Sequence, residues 1–257
     1  MDGRSTSEVQ IRGVRQRFGE LLAIDTTDFT VAAHERLAIV GPSGCGKSTL
    51  LFAIAGLIKP SEGSIEIGDS QTPRERLRRC ALMPQKDLLF PWRSALDNAA
   101  LALENRGIRR QEARRRARPL FERFGLGEFE DRSPAELSGG MRQRVAFLRT
   151  LMAEKDVLLL DEPFAALDSI TRGQMQEWLL GALDAEPRTV VLVTHDVDEA
   201  LVLSHRVVVF SARPCHVKAV FEVPFPRPRR VDELRFSGAG QELFHRLWDA
   251  LKDEIHE

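Results

Sequence analysis

The stretch GPSGCGKST, Gly41 to Thr49, leaves a chain few folds to choose from. It fits the pattern G-x-x-x-x-G-K-[ST] at Gly41, Gly46, Lys47 and Ser48, after the apolar run ERLAIVG and before the helical pattern KSTLLFAIAGL. Glycines let the backbone bend until its N–H groups converge on phosphate oxygens. Lys47 brings a point charge toward the β- and γ-phosphates, and the Ser48 hydroxyl can ligate Mg2+. The helix behind the loop adds the positive end of its dipole. An ordinary glycine turn would need neither the strand before it nor the helix after it. Gly41, Pro42, Ser43, Gly44, Cys45, Gly46, Lys47, Ser48 and Thr49 are therefore expected to bind a nucleoside triphosphate, with Cys45 a small filler inside the loop.

Such a unit belongs to an α/β core. Besides ERLAIVG, the runs GSIEIGD, RCALMPQ, DVLLLDEP, RTVVLVTHD and HRVVVFSARP read as strands. Apolar runs joined by helical patterns mark a parallel sheet covered on both faces. Between Asp87 and Glu154 the pattern turns helical, in SALDNAALALENRG and RRQEARRRARPLFERFG, before strands resume. The expected organisation is a core of residues 1–86 and 155–221, a helical insertion at 87–154, and a linker with a helix at 222–257. In that last helix Leu243, Leu247 and Leu251 share one stripe beside Phe244 and Trp248.

VLLLDEP ends a strand in two carboxylates, where ligands of open α/β sheets sit. Asp161 is placed to hold Mg2+ through water, and Glu162 to polarise an attacking water. A GTPase would require Asn-Lys-x-Asp to read guanine, but Asn98 and Asn105 are the asparagines present and neither precedes a lysine.

A second anion-gripping stretch lies downstream, in ELSGGMRQRVAFLRTLMAE from Glu136. Ser138 is a natural N-cap, and Met141, Val145, Leu148 and Met152 form one apolar stripe. The stripe anchors a helix whose first N–H groups are free to meet an anion.

GPSGCGKST, LSGGM and LLLDEP in this order, with Gln85 and His195, resemble the nucleotide-binding subunit of ATP-binding cassette (ABC) transporters over nearly the whole chain. The resemblance implies a P-loop NTPase core, a mostly parallel sheet with an antiparallel β portion, interrupted by a helical signature subdomain. It implies ATP hydrolysis with Mg2+ and a head-to-tail dimer in which Ser138, Gly139 and Gly140 cap the ATP of the other chain. It makes Gln85 the loop glutamine that touches Mg2+, Asp168 the aspartate that crosses the dimer interface, and His195 the γ-phosphate contact. Phe18 falls where the family stacks an aromatic ring on adenine, with Phe29 a rival. Met141, LLFPWRSALDNAALALE and RVVVFSARP resemble the nitrate, sulfonate and taurine importer branch. The resemblance thus implies a second copy of the subunit, transmembrane permease subunits and an extracytoplasmic solute-binding protein. The expected place is the cytoplasm, peripheral on the inner face of the cell membrane. A soluble ABC ATPase of DNA repair or translation would carry coiled-coil inserts or two cassettes. A non-hydrolytic scaffold would not need both Glu162 and His195.

Composition agrees with this reading. With 37 basic and 38 acidic residues and a net charge of −1, nucleic acid has no electrostatic claim on the chain. Its 257 residues, 43% hydrophobic, can bury a core, yet no apolar run nears the ~20 residues of a membrane-spanning helix. Three scattered cysteines fit neither a disulfide framework nor a zinc site and point to a reducing cytosol. MDGRSTSEVQIRG lacks the apolar core of a secretory leader. The arginines from Arg109 to Arg118 read as a solvated helix face. Leu88, Leu89, Phe90 and Trp92 either fill the helical lobe or form a groove for a helix of a membrane partner.

Overall fold

The computed structural model describes residues 7–227, 229 and 231–255. The expectation about the amino terminus falls largely on residues 1–6, outside them. The elements run β1 (Val9–Phe18), β2 (Leu21–Val31), β3 (Arg36–Val40), α1 (Lys47–Ala55), β4 (Glu62–Ile67), α2 (Pro73–Arg79) and β5 (Cys80–Met83). A helical stretch follows, α3 (Ala95–Asn105), α4 (Arg110–Arg123) and α5 (Gly139–Leu151). The chain then returns to β6 (Val157–Asp161), α6 (Ser169–Ala185), β7 (Thr189–Val193), α7 (Val197–Leu203), β8 (Arg206–Phe210) and β9 (Val217–Glu222), and ends in α8 (Val231–Phe236) and α9 (Gly238–Ile255).

Among the described residues these strands make two sheets. One has the order β5-β6-β7-β3-β8-β9, parallel except for β9, and the other is antiparallel, β2-β1-β4. The α/β core with an antiparallel portion is thus as expected. Strand alternation builds a core on each face of the larger sheet. Leu37, Ile39, Leu159, Val191 and Val193 point to the side covered by α1 and the antiparallel sheet. Ala38, Val40, Leu158, Leu160, Val190 and Leu192 point to the helical side. Because both faces are covered, β3, β6 and β7 are buried throughout.

Helix α2, PRERLRR, shows no apolar period and was not anticipated. A Thr72–Glu75 capping box starts it, and Arg76 fastens it, its buried guanidinium donating to the Ala53 and Ile54 carbonyls at the end of α1 and to those of Ile65 and Gln71.

Two expectations need correction, and one open alternative is divided. The arginines of α4 are more than a solvated face: Arg110 and Arg114 both bond Asp97 of α3, which is buried, while Arg115 and Arg116 pair with Glu112. Burial alone would raise the Asp97 carboxyl, but the bonds from Arg110, Arg114 and Ser94 win and bring it to about 2. The proline-arginine stretch is no loose linker at Arg229, whose buried side chain donates to the carbonyls of Leu201, Ser204, Val223 and Phe225. Leu88 to Trp92 divides between its two readings. Leu89 is buried, but Leu88 and Trp92 are 60% and 76% exposed and Phe90 stacks on Trp92 at 5.0 Å. In α9, Leu243, Leu247 and Leu251 are buried, so this stripe packs on the core.

Candidate nucleotide site

The strand β3 delivers the chain into the loop at Gly41, and α1 begins at Lys47. Glycine is required at Gly44 (φ +74°) and at Gly46 (φ +134°), where side chains are strained. Gly46 occupies the N-cap position of α1 without a side-chain cap, so the first N–H groups of the helix stay open toward the loop. Lys47 is buried, and its ammonium donates to the carbonyls of Gly41 and Pro42 at 2.7 Å each. The lysine therefore sits inside the ring of the loop, with its charge already where a phosphate would lie.

The carboxyl ends of β6 and β7 bring the acidic and imidazole groups together. The Ser48 hydroxyl stands beside the Asp161 carboxylate, and Asp161 is 2% exposed. Burial pushes this carboxyl up, against the pull of Ser48 and of the Lys47 charge. A hard divalent cation suits this oxygen pair. No cluster of three or more His, Cys, Asp or Glu occurs among the described residues.

Glu162 follows directly, with φ +48°, a conformation that costs a non-glycine residue about 1–3 kcal/mol. Two bonds hold it there: its N–H donates to Val193 O at 2.9 Å, and Gln143 donates to its carbonyl at 2.9 Å. The side chain is gripped at both oxygens. Gln85 Nε2 donates to one at 3.1 Å, and His195 Nδ1 lies 3.3 Å from the other. Gln85, Glu162 and His195, far apart in sequence, are thus brought together, and the carboxylate is aimed by an amide and an imidazole. A carboxylate so placed beside a triphosphate can orient and polarise water.

The helix expected after Ser138 forms. Ser138 N-caps α5, accepting from the Met141 N–H at 3.2 Å, and Val145, Leu148 and Met152 are buried. Ser138 and Gly139 face solvent. A Cβ on Gly140 would stand 3.4 Å from Ala166 O and 3.3 Å from Leu167, so glycine lets that loop approach. Asp168 caps α6 by accepting from Thr171 N–H, a bond that holds its carboxyl below the usual range. Phe18 ends β1 half exposed, whereas Phe29 meets Phe210 edge-on at 6.5 Å as part of the core. An open ring belongs to Phe18.

Sequence reasoning overlooked two features. Gln143 is buried and bridges α5 to the Glu162 loop, donating to Glu162 O and accepting from Ala166 N–H at 2.8 Å. A glutamine amid an apolar pattern was the available signal. Cys45 fills the loop beside a distant partner, Cys215: both are buried, with Cys45 Sγ 3.5 Å from a Cβ on Gly41 and Cys215 Sγ 2.9 Å from one on Gly46. Nothing near Cys45 in sequence points to that partner.

A family model described as "ABC transporter" matches residues 24–165, more than half of the chain. The taurine import ATP-binding protein TauB of Rhizobium johnstonii is 44% identical, over 82% of this chain and 80% of that protein. The formylaminopyrimidine import ATP-binding protein ThiZ of Halalkalibacterium halodurans is also 44% identical, over 81% of each. Among solved structures, the ATP-binding cassette MJ0796, a dimer in a post-hydrolysis state bound to ADP and Pi, superposes with a TM-score of 0.78. It is 29% identical, over 85% of this chain and 100% of that one.

Proposed function

Because the chain belongs to the ABC transporter ATP-binding family and is an ATP-hydrolysing cassette of its importer branch, we propose that it drives uptake of a small polar or anionic solute through separate permease subunits. The observation that carries the hydrolytic assignment is the Glu162 carboxylate, held between Gln85 and His195 at the end of β6. In this reading Lys47 and the N–H groups of Gly41–Thr49 hold the triphosphate, and Phe18 stacks on the base. Ser48, Gln85 and Asp161 would hold Mg2+, which would supply charge neutralisation to the phosphates. Glu162 orients the attacking water and His195 contacts the γ-phosphate. Residues 1–86 and 155–221 act as the binding core and 87–154 as the helical lobe.

Ser138, Gly139 and Gly140 cap the nucleotide of a second, identical chain, and Asp168 lies at that junction. A dimeric neighbour bound to ADP and Pi supports this arrangement. ATP closes the pair and hydrolysis reopens it, giving the permease two states to follow. No helix of the described residues is long and apolar enough to cross a membrane, so the translocation path belongs to other subunits. The chain works on the cytoplasmic face, with an extracytoplasmic binding protein delivering the solute. TauB and ThiZ are equally similar to this chain, yet their names specify taurine and formylaminopyrimidine. The cassette therefore does not read its cargo, and a taurine-, sulfonate- or nitrate-like solute is the class the branch favours.

The test is purification from native membranes with the Glu162→Gln variant as the trap. A stoichiometric multi-span partner, with an ATP-dependent dimer of the variant in gel filtration, is the expected result. Recovery only from the soluble fraction turns the assignment to a soluble ABC ATPase. A variant that hydrolyses ATP at the parental rate removes Glu162 from the chemistry.

A further inference from the structure

The phosphate loop is walled from outside by one short segment, Phe210 to Cys215, between β8 and β9. Three of its glycines record the contact. A Cβ on Gly41 would stand 2.9 Å from Phe210 O, one on Gly44 3.3 Å from the Arg213 guanidinium, and one on Gly46 2.9 Å from Cys215 Sγ. The contact at Gly44 is also a hydrogen bond. Arg213 Nε donates to Gly44 O at 3.1 Å, and Nη2 donates to the same oxygen.

A trans peptide sets C=O and N–H on opposite sides. Holding the Gly44 carbonyl outward on Arg213 therefore turns the Cys45 N–H inward. That N–H now reaches Pro42 O at 3.4 Å, a long bond that a phosphate oxygen can replace. The guanidinium fixes the direction of a phosphate-facing donor without itself entering the loop.

The segment is anchored in turn. Cys215 N–H donates to Ala23 O at 3.1 Å and Asp25 N–H to Cys215 O at 2.9 Å, which ties it to β2. On the other side stands Glu254, in the last turn of α9. One of its carboxylate oxygens accepts from the Ala212 N–H and the other from Lys218 Nζ, each at 2.7 Å. Glu254 thus spans the turn between β8 and β9, one residue before Arg213.

We propose that Arg213 is a positioning residue for nucleotide binding, presenting the Gly44–Cys45 peptide to the phosphates, and that the carboxyl-terminal helix sets its place through Glu254. This rests on the reading that Gly41–Thr49 hold the triphosphate. Arg213 is exposed and lies outside the loop, so its loss leaves the catalytic groups intact. It weakens the grip on nucleotide rather than the chemical step.

The experiment measures ADP affinity by calorimetry, and KM and kcat for ATP, on the full chain. Arg213→Ala is expected to raise Kd and KM about three- to tenfold with kcat within about twofold, the scale of one charge-assisted bond at an exposed site. Arg213→Lys, which keeps a cationic donor, restores part of the loss. Glu254→Ala gives a smaller rise of about two- to threefold. The double variant binds no more weakly than Arg213→Ala, because Glu254 acts through Arg213. Additive losses in the double variant overturn the path from α9. Parental affinity in Arg213→Ala, with affinity lost in Lys47→Ala, overturns the inference and leaves the loop reading standing. Parental affinity in Lys47→Ala overturns the loop reading itself.

Discussion

Two helices in this chain begin in glycine-rich turns suited to anions, and they are built differently. At α1 the N-cap is Gly46, without a side-chain cap. Its loop is flanked by the same chain, with β2 at Ala23 O, 3.1 Å from a Cβ on Gly46, the Phe210–Cys215 segment outside and buried Lys47 within, while Ser43 and Gly44 face solvent. At α5 the N-cap Ser138 caps its own helix in an ordinary extended conformation, φ −65° and ψ 162°. There only Gly140 is crowded, by Ala166 and Leu167, while Ser138 and Gly139 face solvent. In the proposed reading one end is a socket of this chain and the other is half of one shared with a second chain. Strained glycines and a buried cation are tolerable where the ligand stays with one chain. A rigid, self-capped surface end suits a ligand that another molecule brings. The helix dipole is common to both; the enclosure differs.

The largest effect that tests this contrast is Lys47→Ala. Removing the buried ammonium from the socket should weaken ADP binding by about a hundredfold in calorimetry, a loss of two or more charge-assisted bonds. Gly46→Ala should follow. Its Cβ would press on Cys215 Sγ at 2.9 Å with φ at +134°, and the strain should lower stability by about 1–3 kcal/mol in urea melts and weaken ADP binding about tenfold. Ser138→Arg separates the two ends. ADP affinity should stay within about twofold while ATP turnover falls about tenfold and ATP-dependent dimerisation is lost, since a surface end changes little in its own fold. An equal loss of ADP affinity would mean that the α5 end serves its own chain.

The smallest effect expected concerns neither end but α7, just beyond His195. Burial pushes the Glu199 carboxyl to about 8, against the Thr194 hydroxyl that donates to it at 3.0 Å. The folded chain then keeps a proton that the unfolded chain, with its ordinary value of 4.5, releases. Stability should therefore fall as pH rises from about 4.5 through about 8. Glu199→Gln should flatten that decline between pH 5 and pH 8.5, read from urea midpoints. A parental slope in the variant would assign the decline to other groups.

Contiguity decided what could be read in advance. The phosphate loop, the strand ending in Asp161 and Glu162, and the Ser138 helix each declare themselves within about a dozen neighbouring residues, because local turn chemistry and strand or helix period act at that range. Gln85, Asp168 and His195 were placed through the resemblance that those motifs carry. Packing across long separations decided the rest. Helix α2 has no apolar period; a Thr72–Glu75 capping box and Pro73 start it locally, and Arg76 fastens it to the carbonyls at the end of α1. Asp97 needs two arginines of another helix to remain charged in the core. Gln143 acquires its role only when α5 meets the Glu162 loop. Cys215 and Arg213 lie some 170 residues beyond the loop they wall, yet parallel pairing of β8 beside β3 sets them against it. Motif chemistry is local and survives in the linear text. A buried hydrogen bond or a close approach of two segments belongs to both partners, and it acquires meaning only once the sheet has brought them together.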